Sequence, residues 1–524
     1  SCDEYVGRFC VWYDEGEWAP QPEATEVVAL RDRLLAYLDS VHLLIPGDDW
    51  VLGQRVWYRA EVGRWAEALA VARACGDNSD WWCTALEGFS LHGMGRFGSS
   101  AHVFGRALEG MDTARAREWR LPRRVVDGDG RDFLQDEGPM DPDARLDRLW
   151  SMADPLYLAP GNDRLTAHYA RWTVSTIRER VRNPFHIPWG RDLEELTVRH
   201  GWEIGWERSR PSPSLSDRPN TIGHKHPEGR DFMPAGRALA DPGRADPNDL
   251  VADTRRPRSL YAPPYAPVLL PLEAQVAVFP REDRVVVVAT HYLPQDTTWH
   301  ARHDHARPWM DPGRDQDAPD AAGLFLLPVD GSALLSTTRR GDLEGATMLE
   351  APAAAYVLSA EAWSPSRRRA GRYREGIHID TVPPDVATLS DLLLVGGGGG
   401  EPADLEEAVG RALVRPSVGG TEGLGVVWEL GGLGWRPEHV GYRLSVERVG
   451  GGLLRRLGQA LRVVGRRRSL SLEWAEPGPD RPERVLRWVD LDLPELDAGA
   501  YRVLLEADIA GRTRLMAETG FRVR

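Results

Sequence analysis

The sequence predicts a multidomain α+β protein: an N-terminal helical repeat domain, a small α/β module and two C-terminal antiparallel β-sandwiches. Three observations predict it. The chain has 524 residues, several times the size of one ordinary domain. Apolar residues recur at helical spacing in its first third, whereas short β-branched runs between turns dominate after residue 265. Glycine at 53 and proline at 39 supply abundant turns. The expected division is a helical domain over 1–119, a connector over 120–149, an α/β module over 150–235 and an irregular linker over 236–264. A β-sandwich over 265–385, a glycine-rich linker over 386–420 and an immunoglobulin-like sandwich over 421–524 complete it.

The net charge of −14 argues against gripping nucleic acid or anionic lipid through bulk charge. Hydrophobic residues at 42% and charged residues at 27% are ordinary globular values. No apolar run reaches the roughly 18 residues of a membrane-crossing helix. Of the 65 basic residues only Lys225 is a lysine. That bias reads as the codon usage of a GC-rich genome, with bidentate carboxylate pairing as the functional rival.

The four cysteines all lie near the N-terminus, and the sequence opens at Ser1 without methionine, which predicts a processed, exported chain. Two disulfides follow, Cys2–Cys10 and Cys75–Cys83, the second closing the turn-rich segment Gly76–Asp80. A lipid anchor at Cys2 is the alternative for the first pair. The expected compartment is periplasmic, outer-membrane-associated or extracellular.

Gly63-Arg64-Trp65 recurs as Gly95-Arg96-Phe97, 32 positions on, each inside a helix–turn–helix pattern. Gly88, Gly95, Phe97, Phe104, Ala107 and Leu108 stand at the small and large packing positions of a tetratricopeptide repeat, which this unit resembles. Such repeats hold protein or peptide partners, so the resemblance implies partner binding. Val27–Leu44 and Asp143–Met152 are expected to add flanking helices.

A capped helix from Asn162 or Asp163 to about Val181 is followed by Trp189-Gly190-Arg191-Asp192 and then by Leu196–Trp202, whose alternation predicts a strand, with a short helix from Asp192 or Leu193 as the alternative. Over about 150–235 the chain resembles the GWxTD-domain proteins, a group of exported bacterial proteins. Here the signature's first two residues are exchanged and its threonine is missing. The resemblance implies a fold and an export route, not a reaction. The remaining strands are expected in two groups, separated by a flexible break at Gly396–Gly400.

The strongest chemical grouping is His300, His303 and His305, beside Asp304 and with His291 nearby, a spacing able to supply three imidazoles to zinc or another divalent ion. Its arginine neighbours would repel a cation, and a solvated loop is the alternative. No complete catalytic motif occurs. Trp81, Trp82, Trp189, Trp202 and Trp206 are candidate partner-binding aromatics, with internal packing as the alternative. The leading expectation is an exported, non-enzymatic protein for protein–protein interaction or self-assembly at the cell envelope, without a cofactor. The rivals are a metal-dependent hydrolase built on the histidine cluster and a structural subunit of an extracellular fibre.

Overall fold

The computed structural model describes residues 3–11, 23–208, 221–224, 229–250, 257–294, 318–419, 423–449, 470–493 and 496–524. The protein is a multidomain α+β chain, helical in its first half and built of antiparallel sheets in its second.

A small hairpin of β1 (Glu4–Val6) and β2 (Phe9–Val11) precedes α1 (Thr25–Leu44), α2 (Asp49–Ala60), α3 (Trp65–Arg73), α4 (Asp80–Gly93) and α5 (Phe97–Gly110). The repeated Gly-Arg-aromatic signature has a backbone cause. Gly63 and Gly95 take φ values of 76° and 68°, a left-handed conformation that costs glycine little. Each lets the next N–H reach back to an orphan carbonyl, Arg64 to Arg59 and Arg96 to Leu91, both at 2.9 Å. The aromatic that follows opens the next helix. In the α4–α5 hairpin the Phe104 ring lies where a Cβ on Gly88 would sit, and Ser100 Oγ donates to the Gly88 carbonyl at 2.8 Å. A hydroxyl in that tight seam is therefore satisfied.

Next come α6 (Thr113–Arg120), α7 (Gly128–Gln135), α8 (Pro142–Ala153), α9 (Asp163–Arg178) and α10 (Arg191–His200). Asp112, Asp127, Asp141 and Asn162 accept first-turn N–H groups and so fix where four of these helices begin. The stretch around 120–149 is thus more than a polar connector: it carries α7 and most of α8, and Val125 and Val126 are buried. The strand expected at Leu196–Trp202 is also corrected. Leu196–His200 belong to α10 and Gly201 ends it, because Leu193 and Leu196 face the β1–β2 hairpin while Val198 enters the main core. Burial on two sides mimics alternation.

After the hairpin β3 (Gly205–Arg208) and β4 (Thr221–His224), the segment expected to be an irregular linker forms α11 (Gly236–Ala240) and α12 (Pro247–Leu250) and buries Leu239, Leu250 and Tyr261. Eight strands then make the first sandwich: β5 (Val268–Pro271), β6 (Val276–Arg281), β7 (Arg284–Tyr292), β8 (Ala321–Pro328), β9 (Leu335–Arg340), β10 (Glu344–Pro352), β11 (Ala355–Ser364) and β12 (Arg369–His378). Their sheets run β10-β7-β6 and β5-β12-β11-β8-β9, enclosing Val285, Val287, Leu324, Leu326 and Leu358.

The second sandwich uses β13 (Thr388–Leu389), β14 (Leu393–Gly396), α13 (Leu405–Gly410), β15 (Ser417–Val418), β16 (Leu424–Leu433), β17 (His439–Arg448), β18 (Leu470–Pro477), β19 (Glu483–Leu491), β20 (Gly499–Ile509) and β21 (Thr513–Val523). A sheet of β13-β16-β14, with β19 on β16, covers the sheet β15-β21-β20-β17-β18 around the fully buried Trp428. The glycine run is not a loose break. Gly397 N–H bonds Gly423 O at 3.0 Å and Gly398 N–H bonds Asp490 Oδ2 at 2.8 Å, so it is a packed turn leaving β14.

Two seams join these parts. Phe279 and Val288 of the first sandwich share a cluster with Leu393, Val395 and Val427 of the second. At the other seam, two arginines of β12 meet the C-terminal end of α8. Arg374 donates to Met152 O at 3.0 Å and to Glu361 Oε1 at 3.0 Å, and Arg372 to Asp154 O and Pro155 O at 2.9 and 3.0 Å. Carbonyls left over at a helix end are good acceptors for a buried guanidinium. Glu361 and Arg374 side chains are completely buried.

Candidate functional site

Helix α9 places the site. Thirteen of its sixteen residues are buried, so it runs through the core instead of lying on it, with α2, α4, α5, α8 and α10 around it. Any charged side chain it carries is forced into the interior. Arg164 and Arg171, seven residues apart and hence on one face, are the two that matter.

Two further segments close on Arg171. Helix α10 ends at Gly201, whose φ of 88° only glycine adopts readily. The turn brings Trp202 edge-on to Trp57 and Phe89, at centroid distances of 6.1 and 6.0 Å. On the other side Leu260 and Tyr261 cover α9. From the repeat side, Trp65 rests on Gly93, where a Cβ would lie 2.3 Å from the indole. Between these walls is a partly open cavity of about 110 Å³, lined chiefly by Trp65, His92, Arg171, Trp202, Leu260 and Tyr261. That volume is close to that of one aliphatic side chain and below the benzene-binding cavities of roughly 150 Å³.

The polar groups in its wall are unequal in charge. Arg171 donates from Nη1 to Val198 O at 3.2 Å and Arg199 O at 2.9 Å, and from Nη2 to Leu260 O. Among the described residues no carboxylate pairs with it. Burial, then repulsion from Arg164, pushes its pKa well below the usual arginine range. Arg164 is fully buried, donates a hydrogen bond to Ser259 Oγ at 3.3 Å, and among the described residues has no acceptor at Nε or Nη1. Both guanidiniums lie 5.8 Å from the centre of the Tyr261 ring.

The nearby carboxylates are committed elsewhere. Asp163 accepts the phenols of Tyr261 at 2.6 Å and Tyr265 at 3.0 Å. Asp231 accepts the amides of Met233, Arg258 and Ser259, and burial raises its pKa. His92 bonds Thr166 Oγ1 through Nδ1 at 2.9 Å, and burial with the Arg171 charge holds its pKa down at about 3. It is a neutral wall group at any ordinary pH. The cavity is therefore apolar and aromatic, with one cation at its floor that, among the described residues, has no carboxylate bonded to it and only the charge of Asp231 nearby. Such a site favours an anionic group carried on an apolar body.

The residues singled out from sequence are scattered. Cys75 and Cys83 are bridged, their Cα atoms 5.8 Å apart. Cys10 is also disulfide-bonded, and its expected partner Cys2 lies outside the described residues. His300, His303 and His305 lie outside the described residues too. His291 is buried on β7, with its pKa lowered to about 4 by burial. Among the described residues no three His, Cys, Asp or Glu side chains converge as a metal site. Of the five tryptophans, Trp202 lines the cavity. Trp82 is buried and donates to Asp49 O at 2.8 Å, Trp81 packs against Trp119, and Trp189 and Trp206 pack against the β1–β2 hairpin. Arg171 and Tyr261 went unflagged. A helical pattern with arginines on a face otherwise apolar was the available signal for the first.

No family model matches the chain, and a search of curated proteins finds no match. Among solved structures, a red sea bream transglutaminase shares 9% identity over 48% of this chain and 31% of its own, with a TM-score of 0.13. A Salmonella alpha-2-macroglobulin reacted with methylamine shares 10% over 61% and 18%, with a TM-score of 0.16. The receptor tyrosine kinase Torso shares 6% over 48% and 73%, with a TM-score of 0.14. The chain thus spans about a third or less of the first two, and likeness this low carries no argument about fold or activity.

Proposed function

We propose that the protein is an exported binding protein that holds a partner polypeptide by its C-terminus, the last apolar side chain filling the cavity and the α-carboxylate meeting Arg171. The observation that carries this reading is the buried guanidinium whose hydrogen-bond partners among the described residues are all carbonyls, at the floor of an aromatic cavity. A carboxylate there would supply the missing counter-charge in a low-dielectric setting, where a charge-assisted hydrogen bond is strong. A cavity the size of one side chain suits a single anchoring residue, and capture of a terminal carboxylate is an established mode of peptide recognition. The helix hairpins on one wall support a tetratricopeptide-like partner-binding role. The disulfides at Cys10 and Cys75–Cys83 support an envelope or extracellular location.

The test is an array of peptides with free C-termini that samples every terminal residue, probed with the full chain. Enrichment of medium-sized apolar last residues, lost in a parallel array of C-terminal amides, is the expected result. An array with no preference at the last position, or one indifferent to amidation, removes the reading.

A further inference from the structure

Between the two sandwiches lies a second partly open cavity of about 110 Å³, lined chiefly by Glu282, Pro384, Gly432, Trp435, Glu483 and Arg484. One of its walls is an indole left in solvent. Trp435 is 55% exposed, and the backbone is built to put it there. Strand β16 is irregular between Leu430 and Leu433 against β19, and such bulges re-aim the side chains beside them. Gly432 and Gly434 take φ values of 73° and 83°. A Cβ on the first would strike Val386 O, and one on the second Arg481 O. The ring itself is tied down by its Nε1–H, which donates to Pro384 O at 3.1 Å. Arg512, in the turn from β20 to β21, holds both walls by donating to Gly432 O at 2.9 Å and to Asp385 O. An aromatic plate held this firmly has little freedom left to lose when a ligand stacks on it.

We propose that this cavity binds a neutral sugar, one pyranose ring stacked on Trp435 with its hydroxyls shared between Arg484 and Glu282. The polar groups select that class. Arg484 meets Glu429 only at 3.8 Å, and Glu429 is already held by both Nη atoms of Arg281. Among the described residues nothing accepts a hydrogen bond from the Arg484 guanidinium, whose Nε would lie 3.5 Å from a Cβ on Gly431 in the cavity wall. Glu282 supplies the matching acceptor. It stands in the two-residue turn between Arg281 and Arg284 with a φ of 56°, a conformation costly for glutamate and found most often where a site uses it. Burial, then Arg281, lowers the Arg484 pKa, and the nearby Glu282 carboxylate acts against that. Glu483 is set against Arg481 at 3.4 Å, so two carboxylates face two guanidiniums and the rim favours neither sign of ligand. Hydroxyls answer such a rim, each able to donate to a carboxylate and accept from a guanidinium. The C–H face of the sugar then covers the electron-rich face of the indole. Being smaller than a benzene-binding cavity of roughly 150 Å³, the space seats part of one ring and leaves the rest in solvent.

Saturation-transfer NMR of the full chain with the methyl glycosides of glucose, galactose, mannose and N-acetylglucosamine tests this. At least one of them is expected to bind in the millimolar range, which suits a ligand of about a dozen heavy atoms. Trp435→Ala should weaken that binding by more than about tenfold, and Trp435→Phe by less, because a phenyl ring keeps a stacking face. Glu282→Gln, in an exposed turn, should weaken it as well and tests the site without touching the ring. No binding of any of these glycosides at concentrations on the order of 10 mM overturns the proposal. So does a bound glycoside that Trp435→Ala and Glu282→Gln leave unaffected, since it then sits elsewhere. Methyl glucuronide or glucosamine bound about tenfold more tightly than the neutral sugars would show a rim that selects charge, which also defeats it.

Discussion

Arg374 shows how single residues hold this molecule together. Its guanidinium is bonded to Glu361, to Ser359 Oγ at 2.9 Å and to the end of α8, and sits 4.1 Å from the centre of the Tyr157 ring. Removing one member of a fully buried pair strands the other charge, at a cost of about 3–5 kcal/mol. Arg374→Met is expected to lower unfolding free energy by that amount in denaturant titration, and adding Glu361→Leu to recover much of it. His168 gives a pH counterpart. Its Nε2 donates to Trp119 O at 2.7 Å, and burial, then Arg164, holds its pKa at about 3. The unfolded value is near 6.5. Above that pH neither state is protonated, whereas below it the unfolded chain takes up a proton that the folded chain refuses. The neutral histidine's contribution is therefore complete above 6.5 and is lost as pH falls towards 3. The stability of wild type relative to His168→Phe should fall with acidification by up to about 1.4 kcal/mol per pH unit, as urea melts at pH 7, 6 and 5 would report. A gap that does not change with pH would show that His168 titrates normally.

Elements differ in how openly the sequence announced them. The α4–α5 hairpin was legible because its Gly-Arg-aromatic signature is a local backbone requirement, the positive φ at Gly95 followed by the aromatic of the next helix. The sandwich strands were legible for a similar reason, since β-branched alternation is local. Helix α10 was not, because neighbours on two sides bury Leu196 and Val198 alike, and that burial is a property of the assembled fold. The glycine run after β14 was misjudged because its order comes from Gly423 and Asp490, far away in sequence. The cavity had the least local signal: its walls come from α3, α4, α9, the end of α10 and the segment around Tyr261. Gly93 is its most sensitive structural point. A side chain there collides with Trp65, so Gly93→Val should push the indole towards the cavity and cost about 1–3 kcal/mol. Peptide binding should fall more than tenfold while the far-ultraviolet circular dichroism stays helical. Unaltered binding in Gly93→Val would show that Trp65 is not part of the site.

Across the whole molecule, the sequence pointed to independent bricks, but polar seams bind them. Arg372 and Arg374 tie the first sandwich to α8, and Gln275 donates to Leu394 O at 3.1 Å and Leu413 O at 3.2 Å across to the second. Three buried arginines read backbone carbonyls at helix ends, Arg372 and Arg374 at α8 and Arg171 at α10. The last of these alone opens onto a cavity, and that difference is what the functional reading rests on. Calorimetric titration of the wild-type chain with one short peptide ending in leucine, as the free acid and as the amide, isolates it. The account predicts saturable binding of the acid and at least tenfold weaker binding of the amide, the difference being the carboxylate at Arg171. Equal affinity for the two forms, or no heat from either, would contradict it.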